Sequence, residues 1–195
     1  MELSSKQIEQ FNKDGYIIFP ELFTSDEIEI FKNEVDRVSK IRSEMVVREG
    51  EDEAVKIMFQ LHEENVETAS PPFRTAARSP RILRTAQQCL GDEELYLHHS
   101  KLNMKSAIEG SAWPWHQDFH SWHLDGIKQP DMVTVTVVLT EASPINGCMY
   151  VLPGSHKQGR SSPRWDDSTA YKLWVAKTPD MKEYMKKFPA PVPIT

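Results

Sequence analysis

The hydrophobic period of this chain changes once, near residue 95, from about 3.6 to about 2, so no fold built from one kind of element accommodates both halves. Before that point apolar residues recur mainly at helical spacing. Ser4 and Gln7 form a capping-box pattern ahead of Ile8 and Phe11, and Gly15 closes the run. Thr24 and Glu27 repeat the device. Phe23 and Ile28 flank that cap as a hydrophobic staple, and Ile28, Phe31, Val35 and Val38 continue one apolar face to about Ser39. Between these helices "YIIFPELF" reads as a short buried strand closed by Pro20. Glu51 to Glu64 carries Val55, Met58, Phe59 and His62 at helical spacing, and Ser79-Pro80 starts a further helix that Gly91 ends.

Past residue 95 "ELYLHHSKLNMK" alternates, and "MVTVTVVLT" places Val133, Val135, Val137 and Leu139 on one face. Asn146-Gly147 is a turn signal, so strands 132–140 and 148–152 should pair antiparallel. A weak helical patch follows around Lys182 to Lys187, before the proline-rich "FPAPVPIT". The expectation is an α+β chain, helical over residues 1–92 and sheet-forming over 93–195. One domain is predicted, because 195 residues at 39% hydrophobic content suffice for one sizeable core and no linker or repeat divides them.

Charge narrows the function classes. With 29 acidic against 23 basic side chains, a net charge of -6, the chain lacks the positive field that attracts nucleic acid. No stretch approaches the roughly 18 apolar residues of a membrane span, and the N-terminus has neither the basic nor the apolar region of an export signal. Cys89 and Cys148 make no disulfide framework and read as two thiols in a reducing compartment. A soluble, cytoplasmic protein acting on a small molecule is the expectation.

Chemistry concentrates at 113–123. The segment "WPWHQDFHSWH" holds three histidines, one aspartate and three tryptophans in eleven residues. On an extended strand His116 and Asp118, two apart, project from one face and can meet one metal ion, which helical spacing would not allow. One His and one carboxylate from a strand, with a distant His, make the facial triad of non-haem Fe(II) oxygenases. HxD alone is common by chance, and its context carries the weight. His120 continues the same alternation and His123 the opposite one, and both read as pocket or surface residues. Trp122 would wall a pocket in phase with the ligands.

That context resembles a known family. "FNKDGYIIFPELFTSDEIE", "PRILRTAQQCLGDEELYLHHSKLNMK", "HQD" and, about thirty residues on, "NGCMYVLPGSHK" are similar to successive blocks of the phytanoyl-CoA dioxygenase family. The "HHSKLN" strand, the "WHQDFHSWH" run and the Asp125-Gly126 turn are most similar to its ectoine-hydroxylase-like members. The resemblance implies a double-stranded β-helix (jelly roll, cupin-like) braced by N-terminal helices, with Fe(II) and 2-oxoglutarate as cofactor and cosubstrate and O2 as oxidant. It places His116 and Asp118 on iron, Asn103 and Trp113 at 2-oxoglutarate, and His99 and Trp122 toward the substrate. Strand parity sets His99, Lys101 and Asn103 on one face, so Lys101 joins the substrate candidates. Thr136 is a further candidate beside the cosubstrate. The implied reaction is hydroxylation of an amino acid, an amino-acid derivative or another small carboxylate. An intact Asp118 agrees, because related halogenases have a small residue there.

The family's distal histidine ligand, and the arginine that pairs with the far carboxylate of 2-oxoglutarate, match nothing in this chain. His156 sits in a motif whose histidine is not a ligand in the family, and Arg160 and Arg164 follow too soon to be the missing arginine. The expectation is therefore a jelly roll lacking its C-terminal strands, in a truncated or partly represented protein. Two rival readings are a non-catalytic fragment or pseudoenzyme that acts by binding, and a cupin-like metal protein with other ligands.

Overall fold

The computed structural model describes every residue except Asp52 and Glu109. Its elements are α1 (Ser5–Asp14), α2 (Ser25–Ser39), β1 (Val46–Glu49), β2 (Ala54–Phe59), α3 (Pro71–Ala77), α4 (Pro80–Leu90), β3 (Lys101–Asn103), α5 (Asp118–Leu124), β4 (Met149–Val151), β5 (Pro163–Asp166), β6 (Leu173–Ala176), α6 (Thr178–Lys187) and β7 (Val192–Ile194). The α+β expectation holds, but helices and strands are interleaved. They form two compact units, each gathered from separated stretches of chain. The first comprises Met1–Glu2, Phe19–Ser111 and Val135–Glu141, and the second Leu3–Ile18, Ala112–Thr134 and Ala142–Thr195.

In the first unit α2 starts where its capping box dictates. The Thr24 hydroxyl accepts from the Glu27 amide at 3.3 Å, and the Glu27 carboxylate accepts from the Thr24 amide at 2.8 Å. Its apolar face buries Val35 and Val38 into a cluster with Val46, Met58 and Leu61. Each such side chain contributes on the order of 1.5–3 kcal/mol on leaving water. The cluster lies against a three-stranded antiparallel sheet in the order β1-β2-β3. The carboxylate of Glu27 also takes two hydrogen bonds from Arg81 on α4, one of them at 3.0 Å, and Arg81 in turn donates to the Leu22 carbonyl.

Residues 51–64 correct the sequence expectation. The helical spacing of Val55, Met58, Phe59 and His62 is coincidental: the chain forms a hairpin in which Val46 faces Met58 and Glu49 faces Ala54. Lys56, Ile57 and Met58 are buried in succession, at 1%, 0% and 0% exposure, so β2 is covered on both faces and shows no alternation. Gly50 at φ 74 and Glu53 at φ 51 turn the chain in a way no helix permits. Burying Lys56 requires partners. Its ammonium meets Glu49 at 3.1 Å and also the hydroxyl of Ser111, which in turn binds Glu49.

Three further expectations change. "YIIFPELF" forms no strand, because Pro20 lacks an amide donor, Glu21 takes a left-handed φ of 54, and no ladder partner is present among the described residues. Of "ELYLHHSKLNMK" only Lys101–Asn103 joins the sheet, opposite Phe59 and Ile57. The stretch 132–140 makes no ladder among the described residues, although Leu139 packs against the first unit's core while Val135 is 46% exposed. The expected pairing of 132–140 with 148–152 is therefore not formed. Instead β4 pairs antiparallel with β7, Tyr150 facing Pro193.

In the second unit α1 opens with the Ser4–Gln7 capping box and ends at Gly15, whose φ of 82 is left-handed. That end is tied to the "PGSH" turn. The Gly154 amide donates to the Asp14 carbonyl at 2.8 Å, and His156 Nε2 bonds the Asn12 carbonyl at 3.2 Å. The hairpin β5–β6 pairs Trp165 with Trp174. The helical patch near Lys182 is real, as α6, and the Asn146-Gly147 turn forms, with Gly147 at φ 83. Both cysteines are free thiols, and no helix among the described residues is long and apolar enough to cross a membrane.

Two outcomes follow. Gly15→Ala meets both a left-handed backbone and the His156 ring, which occupies the place of the new Cβ. It should cost about 1–3 kcal/mol and lower the thermal midpoint by roughly 2–4 °C per kcal/mol, read by circular dichroism. Second, the hydrogen bonds from Arg81 and from the Thr24 amide hold the Glu27 carboxyl at about 2, against an ordinary 4.5. A depressed folded value stabilises fully above the ordinary value and is lost as pH falls through the folded one. Glu27→Gln should therefore flatten the loss of stability between pH 4.5 and about 2 in acid titrations of the wild type.

Candidate functional site

His116 and Asp118 converge, but not by the route that strand parity predicts. The chain is irregular up to Gln117, whose backbone is extended at φ -112 and ψ 120, and from Asp118 it winds into α5. One extended residue is enough to point its two neighbours to the same side, and the imidazole Nε2 lies 3.2 Å from Asp118 Oδ1. The helical start was legible in hindsight: an aspartate in the first turn, a histidine in the last and the Asp125-Gly126 stop are helix-end chemistry. His120 and Trp122 consequently do not continue a strand face.

Each member of the pair is oriented from behind. His116 Nδ1 is 2.8 Å from the Pro114 carbonyl, an acceptor, so Nδ1 carries the proton and Nε2 of the neutral ring presents its lone pair. Thr134 donates to Asp118 Oδ2 at 3.2 Å, which leaves Oδ1 as the oxygen turned to the imidazole. A protonated imidazole would make this an ion pair, and a divalent cation taking the proton's place would be held by both groups. The donor chemistry, one imidazole and one carboxylate, suits ferrous iron. Among the described residues no three His, Cys, Asp or Glu side chains converge as a metal-binding group, so this pair supplies two donors.

The hairpin β5–β6 braces the segment. The Ala176 amide donates to the Trp115 carbonyl at 2.8 Å, the Trp113 and Tyr171 rings lie 5.5 Å apart, and His120 packs edge-on against Trp174 at 5.5 Å. Burial, with the charges of Asp118 and Asp125, pushes the Tyr171 hydroxyl above its usual range and keeps it a donor. Burial, then Arg160 and His123, push the His120 imidazole below its own. Gln117 clamps the loop beyond: its Nε2 donates to the Gly159 carbonyl at 2.9 Å, and its Oε1 accepts from the Ser161 amide at 2.8 Å and hydroxyl at 2.9 Å.

Of the other sequence candidates, Trp113 and Trp122 belong with the pair in the second unit, and both are half-buried. His99, Lys101, Asn103 and Thr136 belong to the first unit. There Lys101 and Asn103 sit on β3 two residues apart, His99 packs its ring 5.7 Å from Phe59, and Thr136 is exposed. Sequence reasoning missed Thr134, Tyr171, Gln117 and Trp174. Only Gln117, lying between the two ligand candidates, carried a signal.

A profile of the phytanoyl-CoA dioxygenase (PhyH) family matches residues 11–193. The ectoine dioxygenase of Nocardia farcinica is 34% identical over 161 residues, 80% of this chain and 52% of the relative. The L-proline trans-4-hydroxylase of Streptomyces griseoviridis is 32% identical over 151 residues, 77% and 54%. A crystal structure of EctD from S. alaskensis with 2-oxoglutarate and 5-hydroxyectoine superposes with a TM-score of 0.78 and 27% identity, covering 99% of this chain and 64% of that one. The chain thus spans about half the length of the curated relatives it matches.

Gln117→Ala removes the clamp on 159–161. Hydrogen exchange at the Ser161 amide should accelerate by roughly fivefold, the loss of about 1 kcal/mol of hydrogen bonding, while amides of α2 keep their wild-type protection.

Proposed function

Since the chain belongs to the phytanoyl-CoA dioxygenase family, we propose that it carries the metal-binding pair of an Fe(II)- and 2-oxoglutarate-dependent dioxygenase. Its substrate is a small molecule: an amino acid, an amino-acid derivative or another small carboxylate. Hydroxylation is its reaction, the cytoplasm its compartment, and a jelly-roll oxygenase domain the frame to which both units belong. One observation carries this reading, the 3.2 Å approach of His116 Nε2 to Asp118 Oδ1 from a backbone that fixes both. The likeness to an ectoine dioxygenase and to a proline hydroxylase supports the substrate class.

His116 and Asp118 would hold the ferrous ion. With 2-oxoglutarate and O2 the bound ion supplies the oxidising power to hydroxylate an unactivated C–H bond, succinate and carbon dioxide being the coproducts. The protein's residues do the rest. The Pro114 carbonyl keeps the proton on Nδ1 of His116, so that Nε2 stays a ligand, and Thr134 holds Oδ2 of Asp118, so that the carboxylate cannot rotate away. Trp113 packs against Tyr171, whose hydroxyl feels the charge of Asp118, so an aromatic pair stands near the carboxylate. We assign Asn103, Trp113 and Thr136 to 2-oxoglutarate and His99, Lys101 and Trp122 to the substrate.

The test is an anaerobic titration with Fe(II) and 2-oxoglutarate, following the weak visible charge-transfer band. A saturable band is expected. Thr134→Val should weaken iron binding by about tenfold, and Asp118→Ala by about 100-fold or more. A band that survives Asp118→Ala unchanged would refute the ligand assignment.

A further inference from the structure

Within the first unit a cavity of about 420 Å3 lies between the turn 62–66 and α3, whose Arg74 and end-capping Arg78, four residues apart, look into it. It shares no residue with the metal-binding pair or with the side chains assigned to cosubstrate and substrate. Its volume falls within the roughly 300–1,000 Å3 of small-molecule sites, most of which are lined by apolar groups. Here Val66 is the one apolar side chain in the wall, among the described residues. The occupant such a wall suits is small and polar.

The charges in the wall balance, two arginines against two glutamates, but they do not all pair with one another. Arg74 is committed to Glu64. His62 spends both ring nitrogens, Nδ1 at 2.7 Å from the Ser100 hydroxyl and Nε2 at 3.1 Å from Glu63 Oε1. Two full charges then lack a full charge of opposite sign. The Arg78 guanidinium makes no ion pair or hydrogen bond among the described residues, and the partner of Glu63 is an imidazole. Asn65, also in the wall, is exposed, and its carboxamide makes no hydrogen bond among the described residues.

The wall is fixed from behind. Thr68 and Ser70, which close the turn, are both fully buried. The Thr68 hydroxyl donates to the Phe59 carbonyl at 2.7 Å, the Ser70 amide to the Leu61 carbonyl at 3.0 Å, and the Ser70 hydroxyl to Glu34 at 2.6 Å. α3 starts at the next residue, Pro71, so turn and helix are held in register before anything binds, which lowers the ordering cost of binding.

We propose that this cavity binds a small zwitterion of the amino-acid type, its carboxylate on the Arg78 fork and its ammonium on Glu63. A guanidinium offers a carboxylate two parallel hydrogen bonds, and a carboxylate accepts from an ammonium. An anion alone meets two glutamates in the same wall, and a cation alone meets two arginines. A zwitterion leaves neither charge facing its like. Asn65, which both donates and accepts, serves either end. This affinity does not depend on the dioxygenase reading.

The experiment is side-chain NMR of the intact, metal-free chain with 15N-labelled histidine, the His62 signals being identified by their loss in His62→Asn. The probes are glycine, sodium acetate and methylammonium chloride at equal ionic strength. Glycine should shift the His62 ring signals saturably and bind about tenfold or more tightly than acetate or methylammonium. Arg78→Gln, at an exposed position with no bond to lose, should weaken glycine by about tenfold or more, and Arg78→Lys by less, since it keeps the charge but not the fork. Arg84→Gln, on the exposed side of α4 and outside the cavity, should leave glycine binding unchanged. Glu63→Gln should erase the preference for glycine over acetate. A shift that stays linear in glycine concentration, or equal affinity in Arg78→Gln, overturns the site. Acetate or methylammonium binding as tightly as glycine to the wild type overturns the zwitterion as its ligand.

Discussion

Extension of the backbone at a single residue, Gln117, is what the second unit's chemistry depends on. Because Gln117 is extended and Asp118 is the first residue of α5, the side chains on either side of it meet, and the helix then carries His120 inward against Trp174. The same residue reaches with its amide across to 159–161. Backbone and side chain of one glutamine therefore set two separate relations, the approach of His116 to Asp118 and the position of the 159–161 loop. A change that bent this residue into the helix would rotate His116 away from Asp118 by about 100° per residue, the helical increment.

The chain's motifs were legible to different depths. Caps were read correctly, at Ser4, Thr24, Ser79 and Gly91, because capping is local chemistry in which three or four neighbouring residues decide the outcome. The hairpin at 46–59 was not, because its strand identity comes from partners remote in sequence: β3, and α2 packed on its face. Covered on both sides, β2 loses the alternation by which strands announce themselves. The pair His116 and Asp118 was legible for its residue types and spacing, while the reason given for their meeting was wrong in detail. An i, i+2 approach needs one extended residue, and a full strand is only one way to supply it.

The residues that orient the pair were the least visible. Thr134 and Tyr171 lie 16 and more than fifty positions from Asp118, and nothing in their immediate neighbours marks them. Tyr171 reaches Trp113 because it lies between β5 and β6, and Thr134 reaches Asp118 from an irregular stretch outside that hairpin; both are tertiary relations. Buried charge shows the same limit. Nothing in the sequence marks Lys56 for burial, yet it is enclosed with Glu49 and Ser111, and enclosure of this kind is tolerated only because each polar group in it finds another.

The seam between α1 and the "PGSH" turn has a consequence for how the protein is made. His156 and Asn12 are 144 positions apart. At ribosomal rates of about 5–20 residues per second, roughly 7–30 s pass between synthesis of the helix and synthesis of the turn that receives it. Through that interval the end of α1 waits without the Gly154 amide and the His156 ring that tie down its last carbonyls, so this attachment forms only after most of the chain has been made.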